Sequence, residues 1–513
     1  MRINVLEYFE QGALTAQPQK TAVIDHGRRH TFEDIARCAK SCAALILERT
    51  QKLNRPIAAF LPKSAETIVA DLGILYSGNC YANLDIKSPP ERLKATLCNL
   101  DAELIITTAA HAGTLRRLGV IESQLLLIEA AMGPRGAHED AALAARLDLV
   151  IDTDPLCIIH TSGSTGIPKG VVLSHRSTID FMDWVFARFG FDGSEIIGSL
   201  SPFYFDIYTL ELYLCLAKGA TLVIIPEQSA VFPGTLLEFV AAQAVNFVFW
   251  VPTIMVNIAN QELLSKWPLP GLRRVFFAGE VFPTKSLNYW RRHLPDALFV
   301  NLYGPIEISV DCTYFVVDRD LADDEKLPIG RPCRNSDILI LNDQDRPVRE
   351  DELGELCVRG SSLALGYWNN PERTALAFVQ NPLNPHYPEL IYRTGDIVYR
   401  NRRGEIMIVG RKDFQVKHLG YRIDLGEVEH AALQVGGIRN ACVTYHRDKK
   451  EIILFFESAR ELSAAVIRKQ LAAYLPKYML PTVFQRVDQL PRNPNGKIDR
   501  QLLAGRAADS HGG

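Results

Sequence analysis

The sequence predicts an α/β protein with a large N-terminal domain and a small α+β C-terminal domain. Three observations carry that prediction. The chain has 513 residues, and one hydrophobic core rarely serves more than about 250–300, so two or more domains are required. Up to residue 328, short apolar runs alternate with amphipathic stretches, the pattern of parallel sheets covered by helices. The character of the chain then changes twice, near Pro328 and near residues 410–413.

In chain order, I-A-A-F-L (57–61), L-I-I-T-T (104–108), L-C-I-I-H (156–160), T-L-V-I-I (221–225), F-V-F-W-V (247–251) and R-V-F-F-A (274–278) read as buried strands. Between them, T-F-E-D-I-A-R-C-A-K-S-C-A-A-L-I-L (31–47) repeats its apolar residues at helical spacing. Two layered αβ subdomains with parallel-type sheets follow from this. Beyond Pro328, D-I-L-I-L (337–341), G-E-L-C-V-R-G (354–360), D-I-V-Y-R (396–400) and G-E-I-M-I-V-G (404–410) are short strands joined by Gly- or Asp-rich turns. They define a small β-rich subdomain at about 328–411. Past residue 411 a helix at 427–434, strands at 441–446 and 452–457, and a helix at 464–475 before Pro476 make a second α/β alternation. The expected division is therefore 1–411, 412–506 and a disordered tail at 507–513.

A net charge of -3 gives no electrostatic case for nucleic acid or an anionic membrane. The N-terminus M-R-I-N-V-L-E-Y-F-E has no signal-peptide core, and no apolar run reaches the roughly 20 residues that span a bilayer. The ten cysteines are scattered singly and read as small core residues of a reduced, cytoplasmic protein.

H-T-S-G-S-T-G-I-P-K-G (160–170) packs glycines, hydroxyls and a lysine into eleven positions. It fails the Walker spacing. Its composition still suits an anion: glycines let backbone N–H groups approach, Thr161, Ser162, Ser164 and Thr165 add donors, and Lys169 adds charge. Taken alone, the stretch reads equally as a phosphate cradle or as an ordinary Gly/Ser surface turn.

The stretch resembles the T-S-G-[ST]-T-G-x-P-K-G signature of adenylate-forming enzymes, the superfamily of acyl-CoA synthetases, luciferases and amino-acid adenylation domains. The resemblance continues in order through N-L-Y-G-P-I-E (301–307), L-P-I-G-R-P (327–332), Y-R-T-G-D (392–396), G-R-K-D-F-Q-V-K-H-L-G-Y-R-I-D-L-G-E-V-E (410–429), L-P-K-Y-M-L-P (475–481) and N-G-K-I-D-R (495–500). It implies that family's fold, with a mobile C-terminal domain, and a two-step reaction. A carboxylate attacks the α-phosphate of ATP and releases pyrophosphate; a thiol then displaces AMP.

The resemblance also implies roles. Thr161, Ser162, Gly163, Ser164, Thr165, Gly166 and Lys169 would hold the phosphates, with Glu307 as the Mg²⁺ ligand. Gly279, Glu280, Asn301, Leu302, Tyr303 and Gly304 would line the nucleotide, Tyr303 stacking on adenine and Asn301 bonding its edge. Asp396 would accept both ribose hydroxyls, with Arg411 beside it. Lys497 would bridge substrate carboxylate and ribose. Lys497, Glu307, Lys169 and Thr161 would be the catalytic groups, and Asp413 the hinge. Ile306 departs from the family, which usually has Thr there.

F-Y-F-D-I-Y-T-L-E-L (203–212) resembles the segment by which amino-acid adenylation domains hold an α-amine, and Asp206 falls on the amine-binding position. The alternative for Asp206 is a helix N-cap. The matching pocket is Phe205, Asp206, Ile207, Leu210, Phe249, Phe276, Ala278, Leu302, Val310 and Asp311, with Lys497. It looks like that of stand-alone L-prolyl-AMP ligases. Asp311 departs from it and leaves hydroxyproline or another small polar amino acid open. D-alanine–carrier protein ligases are the second resemblance, and an acyl-CoA ligase, which usually lacks the acid at 206, the third. The implied cofactors are ATP and Mg²⁺. The implied partner is a phosphopantetheinylated peptidyl carrier protein met in trans, since the chain shows no carrier site of its own.

Overall fold

The helix expected over 31–47 forms at Phe32–Leu47 because Thr31 supplies its cap. The Thr31 side chain accepts from the Asp34 N–H, and the Asp34 carboxylate accepts from the Thr31 N–H in return. Phe32, Ile35, Ala39, Cys42 and Ile46 then share one buried face. The helix His175–Phe189 starts on a similar box from Ser174 and Ser177, and ends at Gly190 in the left-handed region.

The computed structural model describes residues 2–133, 140–163, 168–447, 449–492, 498–500 and 502–504. The chain divides into two units. One comprises Met1–Ile86, Asp101–Ile159 and Gly170–Lys412; the other comprises Lys87–Leu100, His160–Lys169 and Asp413–Gly513.

Among the described residues, three sheets build the larger unit. The first has nine strands, with a parallel centre running Thr21–Asp25, Thr221–Ile224, Ile196–Ser199, Phe247–Trp250, Arg274–Phe277 and Leu298–Tyr303. The second has seven, centred on parallel Pro155–Thr161, Cys80–Asn83, Pro56–Phe60, Leu104–Thr107 and Leu125–Leu127. The third is the β-rich sheet, antiparallel throughout: Ser336–Leu341, Gly354–Gly360, Leu390–Arg400 and Phe378–Gln380, with Ile406–Arg411 paired to Leu390–Arg400.

The nine-stranded sheet is antiparallel at both edges and the seven-stranded sheet at one, where Gly366–Tyr367 pairs, and the sequence pattern did not reveal these edges. Arg28–Thr31 returns along Thr21–Asp25 through His26 and Gly27, both at positive φ (45° and 79°). A two-residue turn of that kind can only make a hairpin.

In the smaller unit, a hairpin of Gln415–His418 and Tyr421–Asp424 leads into the helix Leu425–Leu433. Strands Ile438–His446, Glu451–Ser458 and Val483–Val487 form its sheet. Val428, Ala432, Val443, Leu454, Phe456 and Ile467 are the centre of its core. The helix expected to 475 ends at Leu471, and the residues up to Pro476 run in turns. No helix among the described residues is long and apolar enough to cross a membrane.

Candidate active site

The strand period of two sorts three neighbouring parallel strands of the nine-stranded sheet into two faces. Val248, Trp250, Val275, Phe277 and Phe299 point to one core, and Phe249, Phe276 and Leu302 to the other. Phe249 and Phe276 are register partners, their rings 6.4 Å apart at 78°. Ala278, Val310, Ile207 and Leu210 join the same cluster. Seven of the eight apolar residues expected to line one pocket therefore belong to the same hydrophobic core. Phe205 precedes them, partly buried, its ring 5.1 Å from that of Tyr204.

Asp206 stands at the N-cap of the helix Ile207–Lys218, partly buried. Its backbone is in the helical region and its side chain makes no capping hydrogen bond. The N-cap alternative thus lacks the bond that defines it.

Asp396 and Arg411 face each other across the antiparallel pair Leu390–Arg400 and Ile406–Arg411. The Arg411 guanidinium donates to Asp396 Oδ1 at 2.8 Å and to the Thr394 carbonyl at 2.8 Å. Tyr303, at the end of its strand, donates its hydroxyl to the other Asp396 oxygen. Burial, with the Asp396 carboxylate beside it, pushes the Tyr303 phenol well above its ordinary value, so it remains a donor. Asn301 donates to the Pro328 carbonyl at 2.7 Å. Gly279 lies at φ 91°, and the Glu280 carboxylate accepts from the N–H and hydroxyl of Thr253 at 2.9 and 2.6 Å.

The 3₁₀ turn Ile306–Ile308 holds Glu307 fully buried, where the Tyr367 hydroxyl donates to its carboxylate at 2.8 Å. Gly304 admits no side chain: a Cβ there would lie 2.5 Å from the Asp311 Cα. Ser309 and Val310 follow at φ 56° and 67°. Positive φ is strained for a β-branched valine, and such strain gathers at functional sites. Asp311, next along, is buried.

In the smaller unit, Thr161 is the last residue of the strand Pro155–Thr161, and Ser162 follows it. The Thr161 hydroxyl oxygen is buried with no hydrogen-bond partner among the described residues. Ser162 donates to the Arg422 carbonyl at 2.7 Å and accepts from the Asp424 N–H at 3.0 Å. The Gly163 N–H donates to Glu427 at 3.1 Å, and Glu427 is ion-paired with Arg92. Burial, aided by Arg92, pushes His160 down to about 4, so it is neutral at pH 7. Lys169 is buried at the start of Lys169–Ser174. Asp413 is exposed, and its carboxylate accepts from the Gln415 N–H at 3.2 Å. Ser164, Thr165, Gly166, Lys497 and the tail 507–513 lie outside the described residues.

Tyr367, Thr394, Arg92 and Glu427 were not singled out from the sequence. Thr394 and Glu427 sit inside quoted motifs and could have been found there; Tyr367 and Arg92 sit in none. One reading of the cysteines needs correction: nine are buried thiols, but Cys98 is exposed on the helix Pro90–Leu100.

The family model described as AMP-binding enzyme matches residues 9–368, and the one described as AMP-binding enzyme C-terminal domain matches residues 427–497. Tyrocidine synthase 1 of Brevibacillus parabrevis is 30% identical over 503 residues, which cover 98% of this chain and 45% of that protein. The chain thus spans less than half the length of that relative. Zwittermicin A synthase ZmaJ of Bacillus cereus is 29% identical, with 100% of this chain and 96% of that protein covered. The Vibrio cholerae adenylation domain AlmE, solved in complex with glycyl-adenosine-5'-phosphate, shares the fold at a TM-score of 0.84 and 22% identity, over 99% of this chain and 98% of that one.

Proposed function

The chain belongs to the AMP-binding enzyme family, and on that premise we propose that it is an AMP-forming amino acid–carrier protein ligase acting on L-proline. An oxygen of the amino-acid carboxylate attacks the α-phosphorus of ATP, the bond to the β-phosphate breaks, and pyrophosphate leaves. The phosphopantetheine thiolate of a separate carrier protein then attacks the carbonyl carbon. A carbon–sulfur bond forms and the carbon–oxygen bond to AMP breaks.

The observation that carries this reading is Asp206. It is an acid at the head of a helix whose Ile207 and Leu210 belong to the same buried core as Phe249, Phe276, Ala278, Leu302 and Val310. An α-ammonium matches the acid, and a small apolar ring matches the cluster. An acyl-CoA ligase has no use for that acid.

At the nucleotide end, Tyr303, Asp396 and Arg411 form a polar group suited to adenine and ribose, with Asn301, Gly279 and Glu280 as further contacts. Glu307 fits a divalent cation: Mg²⁺ takes oxygen ligands, and one or two carboxylates suffice when phosphates supply the rest. A bound Mg²⁺ would neutralise phosphate charge. Thr161, Ser162, Gly163 and Lys169 would hold the pyrophosphate; the buried, unsatisfied Thr161 oxygen suits that role. Lys497 is the proposed bridge to the substrate carboxylate. The division of the chain between Lys412 and Asp413 supports Asp413 as the hinge. Nine buried thiols suit a cytoplasmic setting.

Asp311 favours a second reading. A buried acid next to the pocket residue Val310 would suit hydroxyproline or another small polar amino acid. D-alanine is the remaining small substrate. ATP–pyrophosphate exchange over a panel of amino acids tests the assignment. L-proline is expected at the top; a clear preference for D-alanine or a hydroxylated amino acid would replace the substrate, and exchange with fatty or aryl acids alone would sink the amine reading.

A further inference from the structure

Asp206 stands at the head of the helix Ile207–Lys218, and groups on both sides of it in the chain are fixed to distant elements. Tyr208, two residues on, donates its hydroxyl to the Asp71 carboxylate in the helix Ala65–Tyr76 at 2.9 Å. Asn83, closing the strand Cys80–Asn83, donates to the same oxygen at 3.0 Å and to the Phe203 carbonyl at 3.2 Å. The Phe203 ring stacks on that of Tyr208, centroids 4.1 Å apart and planes at 21°. All four residues are buried, Asp71 completely.

An acid in that place costs stability. The second Asp71 oxygen has no hydrogen-bond partner among the described residues, and apolar residues of similar size would fill such a site at no such cost. What the carboxylate adds is direction. It accepts two donors from two different elements at one point, and so ties the residues on both sides of Asp206 to a helix and a strand distant in the chain.

We propose that Asp71, Asn83 and Tyr208 are positioning residues that set the place of the Asp206 carboxylate for the substrate's amino group. The inference rests on the amine reading of Asp206. Binding geometry of this kind tolerates little displacement, so loosening the anchor should weaken the amino acid and spare ATP.

Pyrophosphate exchange on the full chain tests it. Tyr208→Phe keeps the stacked ring and removes the hydroxyl; the expected result is an amino-acid KM raised about tenfold, with ATP KM and kcat within about twofold. A merely structural role would lower the active fraction, and so kcat, leaving both KM values in place. Asp71→Leu should raise the amino-acid KM likewise, and Asp71→Asn, which keeps an acceptor for Tyr208, should bring it back to within about twofold of wild type. Folded Tyr208→Phe with an unchanged amino-acid KM overturns the anchor. Asp206→Ala in the same assay separates the failures. If it raises the amino-acid KM while Tyr208→Phe does not, the anchor alone is wrong. If Asp206→Ala changes nothing, the amine reading itself falls.

Discussion

Phe249 and Trp250 are neighbours in the chain and lie on opposite faces of the nine-stranded sheet. The face of Trp250 is complete in itself. Its indole donates to the Gly198 carbonyl, that of Trp290 donates to the Met255 carbonyl, and Leu236, Leu287 and Phe315 fill the space around them. The face of Phe249 is apolar too, but it carries features that packing does not require. Ile207 and Leu210 bring it the helix headed by Asp206, and Val310 brings it a strained turn. Apolarity alone therefore does not distinguish a core from a pocket. An acid and a strained backbone next to one face are what support the pocket proposed there.

The largest expected effect separates the faces directly. Trp290→Ala should cost about 3–5 kcal/mol of stability, as deletions of buried aromatics do, while the amino-acid KM of the folded protein stays unchanged. Chemical denaturation alongside exchange kinetics would measure both; a raised KM would mean that the two faces are coupled.

The next effect concerns the acid behind the second face. Burial pushes Asp71 up to about 7. The folded chain thus holds a proton that the unfolded chain releases near pH 4. The stability from that proton is present in full below the unfolded value and is lost as pH rises towards 7, on the order of 4 kcal/mol over the window. Asp71→Asn has no charge to bury and should flatten this slope. Comparing the variant with wild type isolates Asp71 from Glu211, whose carboxyl burial pushes up to about 8 in the same way. Parallel stability–pH curves would show that Asp71 does not titrate as described.

The smallest effect tests the pocket. Phe249→Leu enlarges the space beside Phe276 and should shift the preference between proline and a bulkier cyclic amino acid by about tenfold. Identical substrate ratios in the two proteins would remove Phe249 from the pocket and make both faces simple core.

Much of the fold was legible. The strands at 57–61, 104–108, 221–225, 247–251 and 274–278 lie within a residue of the observed ones, because short apolar runs bounded by turn residues leave few alternatives. Edge strands escaped. R-R-H-T (28–31) is polar and partly exposed, and only its pairing across His26 and Gly27 makes it a strand. In the candidate site, Asp206, Glu307 and Asp396 could be proposed from motif order. Tyr367 could not, because its value lies in reaching a carboxylate sixty positions away in the chain.

The sequence by itself determined the family, the order of the motifs and the residue types they carry. It also determined the alternation that sends Phe249 one way and Trp250 the other, since the strand period is local. It could not say that Arg411 and Tyr303 both engage Asp396, or that Asp71 lies behind Tyr208. Tyr303 is 93 positions from Asp396, and Tyr208 is 137 from Asp71. Such pairs are set by sheet register and helix packing, which bring together residues whose spacing in the chain carries no periodic signal.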